Sequence, residues 1–523
     1  MGPRRHAPPK TAPVTGRGNK KKVEKEKPKA WPSSNVQTHQ DDPPVDLSAS
    51  VPLPLQQLLL DVFKFALLFP SSDQPGAGRK DSSQNGVSVS VQHPAADALE
   101  CSSAELNLKS LIQTIKSHLY NRDFNSAFVD AKEDLLRAYS LRWSATRALG
   151  YAGILKGICN TIFDDCGCRG SECSTWEKNQ DRWATKRIVC IGGGAGAEII
   201  ALAAVWRDML VSWNHQAKDI ASLQAGVADL SLKYDTKSGA SEEEAPIKQS
   251  ERLNQYARQG EHETASGDIS DAGHDENPKQ PPPNLSVIVV DIANWSAIVE
   301  RLTKAIQSPS VPGPKSHPAP LLPSAGSRDQ DRGGGFDVSF RRFDVLSCQN
   351  DEDMKLMLRG ASFPSHGDNH EDVLHERTVL ITLMFTLNEL FSTSMAKTTE
   401  FLLKITEWAE PGTILLVVDS PGSYSTVSLT RKAKPDPATV DERANDVTMK
   451  EQPQLQQQQK TYPMKFLLDH TLMSVAVGKW QRMVTEDSRW FRRDTSKLRY
   501  NVGEGAGLED MRFQIHIYRR LES

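Results

Sequence analysis

The stretch from residue 187 to 198 limits what this chain can fold into more than any other. Arg187-Ile188-Val189-Cys190-Ile191 is a short β-rich run that ends at Gly192-Gly193-Gly194-Ala195-Gly196, after which residues 197–211 read as a helix. Glycine permits a sharp turn and close backbone approach, and the helix N-terminus offers unpaired N–H groups to an anionic ligand. A bare GxGxG is weak evidence, but its place between strand and helix is the one such a mechanism requires.

The same alternation recurs downstream. Residues 285–290 are a nearly pure apolar run closed by Asp291 and followed by a helix-like segment at 295–306. Residues 336–345 read as a third strand, 378–385 as a fourth with a helix at about 394–408, and 413–419 as a fifth. Continuous apolar runs alternating with helices predict an α/β fold with a doubly wound parallel sheet covered on both faces. Residues 474–477 and 513–518 read as late strands. Ahead of the first strand, Leu108, Leu111, Ile112, Ile115 and Leu119 follow helical spacing, and residues 55–69 and 128–149 add further helical runs. These predict a helical annex over 47–180, before a main domain at 181–523.

Five stretches read as disordered or loosely ordered: a basic tail at 1–46 and inserts at 70–104, 215–284, 308–335 and 430–460. Apolar residues make up only 38% of the chain, below the roughly 45–50% of globular domains, which fits one packed domain interrupted by solvated inserts. The net charge of -3 hides an uneven distribution, because residues 1–29 hold ten Lys/Arg against two Glu. Such an arm points to nucleic-acid contact or nuclear import, or is simply a solvated tail. Seven cysteines with no secretory signal read as reduced thiols of an intracellular protein. The longest oily stretch, 53–69, is broken by Gln56, Gln57, Asp61 and Lys64, so no membrane span is expected. Cys166, Cys168 and Cys173 depart from the paired spacing of zinc sites, and no metal is expected.

Two ligand classes suit the glycine turn. A dinucleotide wants a third glycine one position later, where Ala197 stands, and the G/A variant of that fingerprint tolerates it. Asp291, at the end of the second strand, suits a ribose in either case. The short GxGxG favours a compact ligand without a pyrophosphate, such as S-adenosylmethionine. Asp344, ending the third strand, is suited to an adenine amino group.

The layout resembles class I S-adenosylmethionine-dependent methyltransferases, with their Rossmann-like sheet. More narrowly, it resembles the fungal family of large-subunit (25S) ribosomal RNA uridine-N3 methyltransferases. The resemblance rests on YSLRWS at 139–144 with RAL at 147–149, IGGGAGAEI at 191–199, LMFTLNELF at 383–391, VVDSPGSY at 417–424 and YPMKFLLDH at 462–470. It implies that Gly192, Gly193, Gly194 and Gly196 line the amino-acid end of S-adenosylmethionine. Asp291 is then implied at the ribose, Asp344 at the adenine and Phe385 at the edge of the methyl group. Cys190 stands where many class I enzymes carry an acid, leaving the cofactor's amino group to another acceptor, Glu198 or Glu389.

Methylation at uracil N3 requires loss of the N3 proton. Glu389 and Asp419 are the candidate bases, with Asn388 to orient a uracil carbonyl, although each also suits a cofactor or capping role. N3 lies on the pairing edge, so the RNA must be unpaired there or the nucleotide extruded. Arg142, Trp143 and Arg147, with Arg137, Tyr139 and Tyr151 beside them, supply cations and rings for RNA. Tyr424, Trp480, Trp490, Phe491, Arg492 and Arg493 form a second such set. The expected partner is large-subunit ribosomal RNA or a pre-ribosome, met in the nucleus, nucleolus or cytoplasm. A methyltransferase of protein or small molecules and a catalytically silent ribosome-assembly scaffold are the alternatives.

Overall fold

The computed structural model describes residues 45–68, 106–164, 185–235, 282–323, 334–347, 350–359, 376–422, 424–429 and 458–522. The basic tail up to residue 44, the insert at 70–104 and the Cys166, Cys168, Cys173 trio lie outside the described residues.

Seven strands form one sheet: β1 (Lys186–Ile191), β2 (Leu285–Asp291), β3 (Phe336–Arg342), β4 (Arg377–Met384), β5 (Ile414–Asp419), and two edge strands. Two short strands, β6 (Tyr424–Leu429) and β7 (Gln458–Pro463), pair separately and antiparallel. The edge of the large sheet is β8 (Trp480–Phe491) and β9 (Met511–Arg520). Its order is β3-β2-β1-β4-β5-β9-β8. The first five strands are parallel, and β9 lies antiparallel between β5 and β8. This is the predicted doubly wound sheet, with the winding reversing between β1 and β4.

Strand alternation divides the core in two. Ile188 and Cys190 of β1 face one hydrophobic cluster, while Val189 and Ile191 face the other. The first cluster is closed by α1 (Leu53–Leu67), α4 (Ala145–Asp164), α5 (Ala197–Asp235) and α6 (Ser296–Ile306), with α2 (Leu108–Tyr120) and α3 (Glu133–Tyr139) outside them. The second is closed by α7 (Asp351–Arg359), α8 (Leu387–Thr393), α9 (Met395–Trp408) and α10 (Met464–Asp469). Both faces are therefore buried, which is why the strands read as unbroken apolar runs. Residues 44–523 form one compact unit, and the helices ahead of β1 share a core with the sheet.

The sequence reading needs three corrections. Residues 474–477 do not form a strand; a π-helical turn, His470–Val475, follows α10 there. Leu467, Leu468, Thr471 and Leu472 bury one helical face while Val475 and Val477 are exposed, so a four-residue alternation was too short to separate the two periods. The insert assigned to begin at 215 starts later, since α5 runs on to Asp235. Residues 308–323 are also packed: Val311, Leu321 and Leu322 are buried, and the Arg207 guanidinium donates to the carbonyls of Pro318 and Pro320 at 3.0 and 2.8 Å. Proline-rich composition concealed these three apolar anchors.

Candidate functional site

An α/β sheet leaves a crevice at the strand C-termini where its winding reverses. Here that point falls between β1 and β4, and the glycine turn occupies it. Gly192 and Gly196 have φ of +79° and +88°, a left-handed conformation that glycine adopts freely. The Gly192 N–H donates to Val290 O at 2.8 Å, fastening the turn to β2. A Cβ at Gly192 would overlap the Thr386 side chain, and one at Gly194 would overlap the Trp295 ring and sit 2.9 Å from Asp291 Oδ2. The glycines thus let β1, β2 and β4 close around one point.

Asp291 faces the turn directly. Its Oδ2 accepts from Gly194 N at 3.2 Å and its Oδ1 from Ala293 N at 3.0 Å. Burial pushes its carboxyl up to about 6, with these hydrogen bonds acting in the opposite direction. Phe343 N donates to the Asp291 carbonyl at 2.9 Å, which brings Asp344 to the same end of the sheet. The Asp344 carboxylate accepts from Leu346 N at 2.9 Å and Ser347 Oγ at 2.6 Å, closing its own turn.

Glu198 lies in the first turn of α5, buried, with Oε1 making no hydrogen bond. Burial pushes its carboxyl up to about 8, opposed by its own backbone N–H and the positive charge of Arg147. Gly193 has its Cβ direction pointing to the Glu198 carboxyl at 3.5 Å and to Cys190 Cβ at 3.0 Å. Glu198 therefore stands beside the place where Cys190 fails to supply a carboxylate.

Across the crevice, Phe385 takes a left-handed backbone, φ +59°, which is an outlier for a bulky side chain. Its N–H donates to Val418 O at 2.7 Å. Its ring stacks on Tyr151, with centroids 6.4 Å apart, and the Arg147 guanidinium lies 4.7 Å from the ring centre. Arg147 Nη1 also donates to Tyr139 Oη at 2.9 Å. Asp419, buried at the end of β5, accepts from Asn388 N at 2.9 Å and Ser420 N at 2.7 Å, and burial pushes it up to about 6. Glu389 is raised by burial first and by Asp419 second. Asn388 Oδ1 is buried without a hydrogen bond.

The predicted residues separate into two neighbouring groups. The four glycines, Glu198, Asp291, Asp344, Phe385, Asn388, Glu389 and Asp419 gather at the strand ends. Arg142, Trp143 and Arg147 line a cavity of about 190 Å³, whose wall residues Phe385 and Arg147 also border the crevice. Other expected RNA residues are structural. Arg137 is buried with Nε and Nη2 donating to Leu67 O, and Trp480 is buried with Nε1 donating to Thr406 Oγ1 at 2.8 Å. Trp490 is half exposed, with the Arg492 guanidinium 4.6 Å from its ring centre. The side chain of Tyr424 lies outside the described residues. Sequence reasoning missed Trp295, which packs on Gly194, and residues 509–512, which form the cavity's far wall. Trp295 follows Asp291 by four residues and was legible; nothing local marked 509–512.

A glycine turn at the reversal point, with Asp291 ending β2 and Asp344 just past β3, is a nucleoside-binding arrangement of an α/β sheet. The chain belongs to the SAM-dependent methyltransferase family Methyltransf_34, whose model matches residues 95–519. It is 26% identical over 416 residues, 79% of this chain and 78% of the relative, to the 25S rRNA (uridine(2843)-N(3))-methyltransferase of Saccharomyces cerevisiae. A solved SAM-dependent methyltransferase from Methanosarcina mazei aligns at 10% identity over 46% of this chain and 84% of that chain, with a TM-score of 0.21. The fold assignment rests on the strand order described above.

The site fits S-adenosylmethionine. Glu198 offers a buried acceptor without a partner, suited to an ammonium. Asp291 is held by the N–H groups of Gly194 and Ala293 with its carboxylate turned to the glycine turn, where the hydroxyls of a ribose would lie. Among the described residues no cluster of three His, Cys, Asp or Glu is arranged to hold a metal, and no helix is long and apolar enough to cross a membrane.

Proposed function

We propose that this protein methylates N3 of a uridine in large-subunit ribosomal RNA, within the free RNA or a pre-ribosome. The observation that carries this reading is the match, over nearly four fifths of both chains, to the yeast 25S rRNA uridine-N3 methyltransferase. The place of action follows the substrate, in the nucleus, nucleolus or cytoplasm.

Bound S-adenosylmethionine supplies an electrophilic methyl on a sulfonium. The protein's task is then alignment and deprotonation. Gly192, Gly193, Gly194, Gly196 and Glu198 would hold the amino-acid end, Asp291 the ribose hydroxyls and Asp344 the adenine amino group. Phe385 would edge the methyl. Orientation of this kind supplies roughly 7–11 kcal/mol in favourable cases.

The N3 proton needs an acceptor with a pKa near ambient pH. Asp419 has both oxygens engaged by the N–H groups of Asn388 and Ser420, so it positions the start of α8. Glu389 is raised by burial and by the charge of Asp419 and carries no side-chain hydrogen bond among the described residues, which favours it as the base. Asn388 is then left to orient the base, its carboxamide NH2 donating to a uracil carbonyl.

Mass spectrometry of ribosomal nucleosides before and after deletion tests the reading. Loss of one 3-methyluridine from large-subunit RNA is the expected result. Unchanged nucleosides with retained ribosome association would make the protein a scaffold, and transfer only to protein or small molecules would move the substrate elsewhere.

A further inference from the structure

We propose that the cavity between the π-helical turn Ser140–Ser144 and residues 509–512 receives the extruded uracil ring, with Arg142 and Arg147 reading its two carbonyl oxygens. This rests on the uridine-N3 reading and adds the site where the base is held.

Size is the first argument. The cavity holds about 190 Å³, the liquid share of about six waters at roughly 30 Å³ each. Drug-sized ligands occupy pockets of roughly 300 Å³ or more. The space suits a single ring and is too small for the cofactor, and none of the turn glycines lines it.

Its walls have the right chemistry. Trp143 and Phe385 supply aromatic rings to the wall, held by Tyr139 and Tyr151 behind them. Trp143 and Arg147 stand four residues apart, as do Arg142 and Thr146, so both pairs project along one helical side. A π-helical turn is wider than an α-helical one, and such turns occur often at functional sites. Arg142 is fastened by an ion pair to Glu509, yet its Nε is buried with no hydrogen bond. Arg147 is held between Tyr139 Oη and the Phe385 ring.

Two guanidiniums in such a pocket select the base. Uracil presents O2 and O4 on either side of N3, both acceptors, whereas cytosine replaces O4 with an amino donor that would face a cation. A lysine side chain, as in a protein substrate, would add a further positive charge beside Arg142, Arg147 and Arg512, where Glu509 is already paired with Arg142 and Asp510 with Arg492. When N3 gives up its proton to Glu389, the negative charge spreads onto O2 and O4, where the cations stand. The N3 lone pair then forms the N3–C bond while the S–C bond breaks, its electrons remaining on sulfur as a neutral thioether. Phe385 joins this pocket to the crevice, so the reacting atoms meet at its edge.

The experiment uses the full-length protein and a large-subunit RNA fragment carrying 4-thiouridine at the position the unaltered protein methylates. Irradiation should cross-link peptides containing residues 142–147 or 509–512; cross-links found only elsewhere overturn the pocket. In parallel, Thr146→Phe, which fills the cavity, should lower single-turnover transfer at least 100-fold while cofactor affinity by calorimetry stays within twofold. Arg147→Met should lower transfer as well, and Arg147→Lys should restore at least tenfold by returning the charge. Transfer at the native rate by Thr146→Phe overturns the pocket while leaving the RNA activity standing. Absence of transfer by the unaltered protein instead overturns the activity on which the pocket rests.

Discussion

The Arg147 guanidinium lies over the Phe385 ring, 4.7 Å from its centre, and this contact joins α4 to the end of β4. Phe385 holds that position with a left-handed backbone. For a non-glycine residue this conformation costs roughly 1–2 kcal/mol. Phe385→Gly should therefore change global stability by under about 2 kcal/mol, because relief of backbone strain offsets part of the lost ring burial. Methyl transfer should nevertheless fall on the order of 100-fold, since small misplacements at the reacting centre have that effect. Urea unfolding alongside single-turnover kinetics checks both halves.

Gly194 is enclosed by Trp295 and Asp291, so even a methyl has no room. Gly194→Ala should displace one of them and weaken S-adenosylmethionine binding by roughly tenfold or more, about 1.4 kcal/mol. Calorimetry reads this directly. Unchanged affinity in a folded variant would remove the turn from the cofactor site.

Glu198 gives a pH signature with a definite sign. Its folded carboxyl titrates at about 8 and its unfolded one near 4.5, because burial opposes the charge. Between those values the folded state holds the extra proton, so this contribution to stability is complete below 4.5 and is lost as pH rises through 8. The slope is at most about 1.4 kcal/mol per pH unit. Comparing the unaltered protein with Glu198→Gln in urea from pH 6 to 8.5 should show the unaltered protein falling below the variant as pH rises, because glutamine keeps the uncharged form. Binding of the cationic cofactor should also release a proton, seen as a calorimetric enthalpy that depends on the buffer.

His516 should act in the opposite sense. It is buried on β9, with Nδ1 2.7 Å from Thr485 Oγ1 and Nε2 3.2 Å from Gln514 Oε1, and Gln514 in turn donates to Ser420 O at 2.7 Å. Burial first, and the charge of Lys465 second, lower its pKa from 6.5 to about 4. The unfolded state binds the extra proton in that window, so the contribution is present above 6.5 and is lost as pH falls toward 4. His516→Gln should flatten this acid limb in chemical denaturation, and an unaltered limb would place the titration elsewhere.

Much of this architecture was legible because it is local. The run ending at Ile191, the glycines after it and Asp291 closing the next strand are all short-range patterns, and the sheet assembled around them. The base pocket was only half legible. Arg142, Trp143 and Arg147 announce themselves within six residues, but their opposite wall is more than 350 positions away, brought in by the antiparallel pairing of β8 with β9. β8 itself escaped notice, since WQRMVTEDSRWF is largely polar and lies on the sheet's edge, half exposed along most of its length. The π-helical turns carry no periodicity of their own. The Pro-rich stretch at 308–323 was hidden because three apolar anchors do not outweigh loop composition.

The N-terminal helices share one interior with the front of the sheet, from Leu58 and Tyr151 through to Ile188 and Ile515. Among the described residues these helices belong to the same compact unit as the sheet. A version lacking the segment before β1 would lose a large share of the lining on that side of the sheet along with one wall of the pocket, and it should emerge as an insoluble chain.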